Sequence, residues 1–270
     1  VDLGEAMNVP ELYRGLFDDA AVFPPGDLPL AEAVPAHRAH RAGWYAEAVG
    51  PLLAPVGALA ELRALEPGFA VGLVVGPGRL AEALKAAEGL EVATVEYAAG
   101  EDVRAAVAEL DALLPEGVGA AVELPRSERL EDGLDALTGT RYRAKYRTGG
   151  LGYSAFPSVT ELAGFLLGCA ERALPYKCTA GLHHAVRYTD LGTGYEHHGF
   201  LNLLLAAGSR DRAQAVELLA ERDGARLATA VESLTERQVA EIRASFTSFG
   251  TCSIAEPLED LARLGLLETP

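Results

Sequence analysis

Short apolar segments alternate with longer helical patterns eight times along these 270 residues, and this rhythm constrains the fold more than any other feature. Strand-like segments fall at 20–24, 51–56, 69–75, 91–97, 118–124, 142–147, 175–181 and 246–253. Helical patterns follow most of them, at 59–65, 79–88, 102–113, 128–137, 160–173 and 258–266. Ser158 and Glu161 have the spacing of a capping box before the fifth helix. The alternation predicts an α/β chain folded as a single (β/α)8 barrel over residues 1–270. An open doubly wound sheet has the same alternation, but no Gly-x-Gly-x-x-Gly follows the first strand, which disfavours dinucleotide binding.

One connection breaks the rhythm. Residues 182–245 separate the seventh and eighth strands, where a barrel unit uses roughly 30 residues. The connection opens with a polar, glycine-rich stretch at 183–199. Helical patterns follow at 200–207, 210–222 and 235–244, with Ser233 and Glu236 spaced as a capping box. A long loop after a barrel strand sits on the catalytic face, so 183–199 is expected to act as a lid hinged at Gly192, Gly194 and Gly199.

The composition narrows the function classes. A net charge of −16 repels nucleic acid and anionic lipid, so neither is an expected partner. No apolar run reaches the roughly 18 residues of a membrane span. Val1-Asp2-Leu3-Gly4-Glu5 lacks the basic and apolar regions of a signal peptide. Cys169, Cys178 and Cys252 lie in apolar phrases and read as reduced core residues. These features together point to the cytoplasm. A homo-oligomer is compatible with the sequence.

The chain holds only three lysines among its 23 basic residues, and two of them lie on consecutive strand candidates. The first is in Arg143-Ala144-Lys145-Tyr146-Arg147-Thr148-Gly149-Gly150, the second in Tyr176-Lys177-Cys178-Thr179-Ala180-Gly181-Leu182-His183-His184. Burying an ammonium costs several kcal/mol, and an amine can lose its proton where arginine cannot. Barrel strands point alternate side chains inward. In that register Thr94, Glu96, Ala121, Glu123, Arg143, Lys145, Arg147, Lys177 and Thr179 share one interior. Two lysines on strands roughly 4.8 Å apart disfavour double protonation. One of them is therefore expected to titrate below its ordinary value and to attack a carbonyl as a neutral amine. The lysine without its own carboxylate would be the nucleophile. Glu96, Glu123 and His183 are the acid–base candidates. A buried ion-pair network with no catalytic duty is the plainer alternative.

The phrases Lys177-Cys-Thr-Ala-Gly-Leu and Lys145-Tyr-Arg-Thr-Gly-Gly resemble the lysine-bearing strands of class I (Schiff-base) aldolases, with the deoxyribose-phosphate aldolase group nearest in pattern. The resemblance spans two phrases of about eight residues each. It implies a (β/α)8 lyase in which Lys145 forms the imine and Lys177 activates it. No counterpart of that group's aspartate relay is visible, so Glu96 or Glu123 would replace it. The double histidine has no place in that pattern. Thr-Ala-Gly-Leu-His-His and His-Gly-Phe-Leu-Asn also look like phrases of an uncharacterised bacterial family, which implies no activity.

His183, His184, His197 and His198 form a second constellation. With Glu196 or Asp190 they could bind a divalent metal, although no His-x-His or His-Glu-x-x-His motif is present. Hydrogen bonding within the loop is the alternative. His37 and His40 lie on a polar helix and are expected in solvent. Ser248, Gly250 and Thr251 close the eighth strand before a helix and could hold a phosphate or carboxylate. Arg143, Arg147, Thr148, Gly149, Thr179 and His184 complete the candidate contacts to substrate. Asp18 and Asp19 are expected at the entry end of the first strand, away from chemistry. The sequence therefore suggests an aldolase-like lyase acting on a small anionic carbonyl compound without a cofactor. The rivals are a metal-dependent barrel enzyme built on the histidine loop and a non-catalytic barrel that binds a small anion.

Overall fold

Eight parallel strands close into a barrel in which sequence neighbours pair and the last strand meets the first. The computed structural model describes residues 8–270. Residues 1–7, on which the expected absence of a leader rests, lie outside the described residues. The strands are β1 (Phe17–Asp19), β2 (Val49–Pro55), β3 (Ala70–Val75), β4 (Glu91–Ala98), β5 (Gly119–Glu123), β6 (Arg143–Arg147), β7 (Tyr176–Thr179) and, after a two-stranded hairpin, β10 (Phe246–Thr251). Strand β10 pairs with both β7 and β1, which completes the closure.

The helices are α1 (Leu30–Ala42), α2 (Leu59–Leu65), α3 (Leu80–Ala86), α4 (Val103–Leu113), α5 (Leu130–Leu137) and α6 (Val159–Glu171). They are followed by α7 (Phe200–Ala207), α8 (Arg212–Ala220), α9 (Gly224–Glu232), α10 (Glu236–Ser245) and α11 (Ala255–Arg263). Side-chain oxygens stop several at their N-termini: Asp102, Ser158, Asp211, Asp223 and Thr235 each accept from a backbone amide one turn in. The Ser158–Glu161 capping box forms as expected. The box before α10 uses Thr235 and Gln238 instead of Ser233 and Glu236. The helix α9 inside the long connection was not expected from the sequence; Asp223, which caps it, is the signal that marks its start.

The apolar core lies between the strands and the helix ring. Tyr146 of β6 stacks on Phe165 of α6 at 4.3 Å between ring centroids, and Leu134, Leu137 and Leu162 are fully buried beside them. The barrel interior is different. It holds Glu96, Lys145 and Lys177, all buried, where Val, Ile and Leu usually fill a barrel.

The largest sequence misreading concerns the first strand. The apolar run 20–24 is a turn, in which Phe23 N–H donates to the Ala20 carbonyl and Gly26 N–H to that of Phe23. The strand is Phe17-Asp18-Asp19, and both aspartates are buried. Asp18 points into the barrel. Asp19 points outward to α1, where its Oδ2 lies 2.9 Å from His37 Nδ1. His37 is therefore buried and not solvated. His40 is half-buried against the Tyr45 hydroxyl.

Among the described residues, no helix is long and apolar enough to cross a membrane. The cysteines are all free; Cys169 and Cys178 are buried, and Cys252 is half-buried.

Candidate active site

Pairing in the sheet sets Glu123, Lys145, Lys177 and Ser248 side by side on β5, β6, β7 and β10. Alternation along each strand then turns all four inward. Glu96 enters from β4 and Asp18 from β1. Lys145 Nζ lies 2.6 Å from Glu96 Oε2 and 2.8 Å from Glu123 Oε2. Lys177 Nζ lies 2.5 Å from Asp18 Oδ2 and also contacts Glu96 Oε1. Arg147 Nε donates to Glu123 Oε1 at 2.9 Å, and Ser248 Oγ donates to Asp18 Oδ2 at 2.7 Å. The result is one chain of alternating charge, Arg147–Glu123–Lys145–Glu96–Lys177–Asp18, with three cations and three carboxylates.

Glu96 is the centre of this chain, with one oxygen on each lysine. Burial alone would raise its carboxyl, but the charges and hydrogen bonds of Lys145 and Lys177 outweigh that and hold it down at about 2. Glu123 is held low in the same way: burial opposes, and Lys145 and Arg147 prevail. For Lys177, burial would lower the ammonium, but the charges of Asp18 and Glu96 more than offset this and raise it. The expectation that crowding would depress one of the lysines therefore does not hold for Lys177. Two carboxylates beside it outweigh the like charge of Lys145. Nor does either lysine lack its own carboxylate, so that criterion does not single out a nucleophile.

The network reaches solvent at one end. Glu96, Lys145 and Lys177 are buried, whereas the Arg147 side chain is 43% exposed at the C-terminal mouth. Arg143 lies one inward position deeper, away from the mouth, where its guanidinium donates to Thr247 Oγ1 at 3.0 Å and to Thr94 Oγ1 at 3.5 Å. It stands behind the lysines and is not placed to meet a substrate at the mouth.

Beyond the lysine strands the backbones of the two exits press together. Ala180 adopts φ +61° and Gly181 φ +74°, a left-handed pair that turns the chain sharply after β7. Thr148 Oγ1 donates to the Ala180 carbonyl at 2.5 Å, which commits that hydroxyl to the turn. A Cβ at Gly149 would lie 2.7 Å from the Gly181 Cα, so only glycine allows this approach. On the neighbouring strand β10, a Cβ on Gly250 would meet its register partner Thr179 at Oγ1, at 3.5 Å. Thr251 Oγ1 bonds the Ser253 carbonyl at 3.0 Å and is used within its own turn.

The segment 183–199 stands on this same face as a hairpin, β8 (Tyr188–Thr189) with β9 (Glu196–His197). It is pinned at many points. His197 Nδ1 is 3.2 Å from the Gly181 carbonyl. Arg187 pairs with Glu196 at 2.8 Å, and Arg222 grips the same carboxylate. Asp190 Oδ1 accepts from the Thr193 amide at 2.8 Å and closes the hairpin turn.

The four loop histidines separate into distinct roles. His198 uses both ring nitrogens, Nε2 toward the Pro157 carbonyl at 2.8 Å and Nδ1 toward Arg187 at 3.2 Å. Burial holds it neutral, with its pKa down at about 4. His184 turns away to Asp260, at 3.0 Å. His183 sits near the mouth with Nδ1 3.2 Å from Glu256 Oε2 and 3.5 Å from Cys252 Sγ. Burial lowers the His183 pKa despite the Glu256 charge. The Cys252 thiol is pushed up to about 11, first by burial and then by Glu256, so it is a poor nucleophile. Among the described residues, no group of three or more His, Cys, Asp or Glu side chains is arranged to hold a metal ion. The set His183, His184, His197 and His198 is thus not brought together around one point.

Asp18 is the site residue that the sequence reading missed. No local pattern marked it: its place depends on Gly50, where a Cβ would lie 2.0 Å from Asp18 Oδ1, so the glycine leaves room for the carboxylate. Comparison with protein-family models, with curated proteins and with solved structures finds no match.

Proposed function

We propose that this barrel is a Schiff-base lyase that breaks or forms a carbon–carbon bond beside a carbonyl group, with Lys145 as the nucleophile. The observation that carries the reading is the buried Arg147–Glu123–Lys145–Glu96–Lys177–Asp18 chain itself. Such a network is a poor investment for stability, because desolvation costs several kcal/mol per ion and apolar packing of the same volume does as well or better. It suits chemistry in which a proton must move between an amine and a carboxylate at short range.

Lys145 lies at the solvent-facing half of the chain, next to Glu123 and Arg147. Attack on a carbonyl requires Lys145 to give a proton to Glu123 or Glu96, both within 3 Å. The amine nitrogen then bonds to the carbonyl carbon and the oxygen takes up a proton. The proton held on the carboxylate then passes to that oxygen, and loss of water leaves a protonated imine. A base takes the proton of the hydroxyl on the far carbon, that carbon leaves as an aldehyde, and the electron pair of the broken carbon–carbon bond passes into the imine to form an enamine. Reprotonation and hydrolysis return the free lysine. Lys177 stays an ammonium beside Glu96 and stabilises negative charge there. His183, whose pKa burial lowers, is a further acid–base candidate in the loop after β7. The likeness of the two lysine phrases to class I aldolases supports the same assignment.

Arg147 is already engaged by Glu123, so an anionic group on the substrate would share it with that carboxylate. A small carbonyl compound with one carboxylate or phosphate remains the substrate class proposed.

Borohydride reduction in the presence of pyruvate, acetaldehyde, glyceraldehyde 3-phosphate and dihydroxyacetone phosphate tests the reading. Peptide mass mapping should find a reduced adduct on Lys145, absent from Lys145→Met. Absence of an adduct with every compound would overturn the proposal in favour of a non-catalytic ion-pair core.

A further inference from the structure

We propose that Asp18 is a positioning residue that selects the nucleophile, by claiming Lys177 for an ion pair and leaving Lys145 as the amine that reacts. This inference rests on the Schiff-base reading above, and it answers a question which that reading leaves open. The two lysines lie in register on adjacent strands, and each touches two carboxylates. Nothing in that count distinguishes them.

The distribution of the carboxylates does. Glu96 gives one oxygen to each lysine and favours neither. Glu123, the second partner of Lys145, is divided with Arg147, whose Nε donates to its Oε1 at 2.9 Å. Asp18, the second partner of Lys177, has no competing cation in contact among the described residues. Its Oδ2 receives only Lys177 Nζ and the neutral Ser248 hydroxyl. Lys177 therefore has the whole of one carboxylate and part of another, while Lys145 has parts of two. Opposite charge in contact favours the ammonium, so the asymmetry directs the proton to Lys177.

Three local features hold Asp18 to this task. The missing side chain of Gly50 admits its carboxylate. Ser248, in register with Lys177, orients Oδ2. Closure of the barrel brings β1 beside β10, one strand away from β7. The other charged groups around Lys177 are Glu96 from β4, Lys145 from β6 and Arg143 one level deeper, the last bonded only to hydroxyls. Behind β10, Arg243 of α10 is tied to the carbonyls of Arg14, Phe246 and Thr247. None of these offers Lys177 a second undivided carboxylate.

With only Lys85, Lys145 and Lys177 in the chain, carbon-13 labelling of lysine gives a spectrum simple enough to assign with two variants, Lys85→Arg and Lys145→Met. The full-length protein and its Asp18→Asn and Gly50→Ala forms are titrated by NMR. In parallel they are reduced with borohydride and acetaldehyde and mapped. Asp18→Asn should shift the Lys177 midpoint down by about one pH unit or more, and the adduct should appear on Lys177 as well as Lys145. Gly50→Ala keeps the carboxylate but displaces it, and should move both readouts the same way. A Lys177 midpoint that stays put in a folded variant overturns the proposal, as does a wild-type adduct already on Lys177. If wild type gives no adduct, nucleophile selection falls together with the Schiff-base reading. The titration, which needs no substrate, then reports separately whether Asp18 controls the Lys177 proton.

Discussion

Replacing Glu96 with glutamine removes the carboxylate that joins the two halves of the buried network and keeps its volume. The cost can be worked in two ways. Glu96 falls from an ordinary 4.5 to about 2, which at ~1.4 kcal/mol per pH unit corresponds to about 3 kcal/mol. Removing one partner of a buried ion pair costs about 3–5 kcal/mol, and glutamine still offers each lysine a polar neighbour, so the lower end applies. A domain with about 5–15 kcal/mol of stability survives this loss. Because the folded value is depressed, the contribution of Glu96 is complete above the ordinary carboxyl value. It is lost as pH falls from about 4.5 through about 2. Urea titrations followed by circular dichroism or Trp44 fluorescence should therefore place Glu96→Gln about 3 kcal/mol below wild type at pH 7, with an unchanged slope. The difference should narrow by roughly half at pH 3. A difference under about 1 kcal/mol at pH 7, or one that stays constant down to pH 3, would refute the view that both lysine charges are anchored on this carboxylate.

Other perturbations test neighbouring parts of the site. Lys177→Met leaves Asp18 with only the Ser248 hydroxyl and should cost about 3–5 kcal/mol; Lys145→Met leaves Glu96 on Lys177 and Glu123 on Arg147 and should cost at least about 1 kcal/mol less, by the same urea assay. Burial lowers His198 to about 4, so the protein should lose about 2 kcal/mol from this group as pH falls from 7 to 5. His198→Gln should flatten that part of the stability–pH curve, and an unchanged curve would contradict the burial argument. Gly149→Ala forces a Cβ against the Gly181 backbone and should destabilise by about 1–3 kcal/mol, read as a fall in Tm. A neutral result there would show that the two strand exits can separate freely.

Much of the fold was legible in the chain because barrel strands obey local rules. Alternation within a strand has a period of two, and successive parallel strands joined by helices become neighbours. These rules alone brought Glu96, Glu123, Lys145 and Lys177 into one interior and placed 183–199 on the C-terminal face. They failed at β1, where Phe17-Asp18-Asp19 offers one apolar residue and two acids. The apolar run just after it had the better local pattern but folds as a turn. Solvent exposure was misjudged for His37 for a related reason: its partner, Asp19, comes from that same unrecognised strand. The loop histidines gave the sequence no means of telling a ring with both nitrogens bonded, His198, from one beside the mouth, His183.

The sequence by itself determined that Glu96, Glu123, Lys145 and Lys177 enter the barrel, because inward direction is a property of each strand. Only the tertiary structure decided how those charges are shared. Asp18 and Lys177 are 159 positions apart and meet only because β10 closes the ring between β7 and β1. Ion pairing at contact distance depends on that closure and on the space left at Gly50, and neither is written in any local pattern. That is why the lysines were legible as a pair, while the carboxylate that distinguishes them was not.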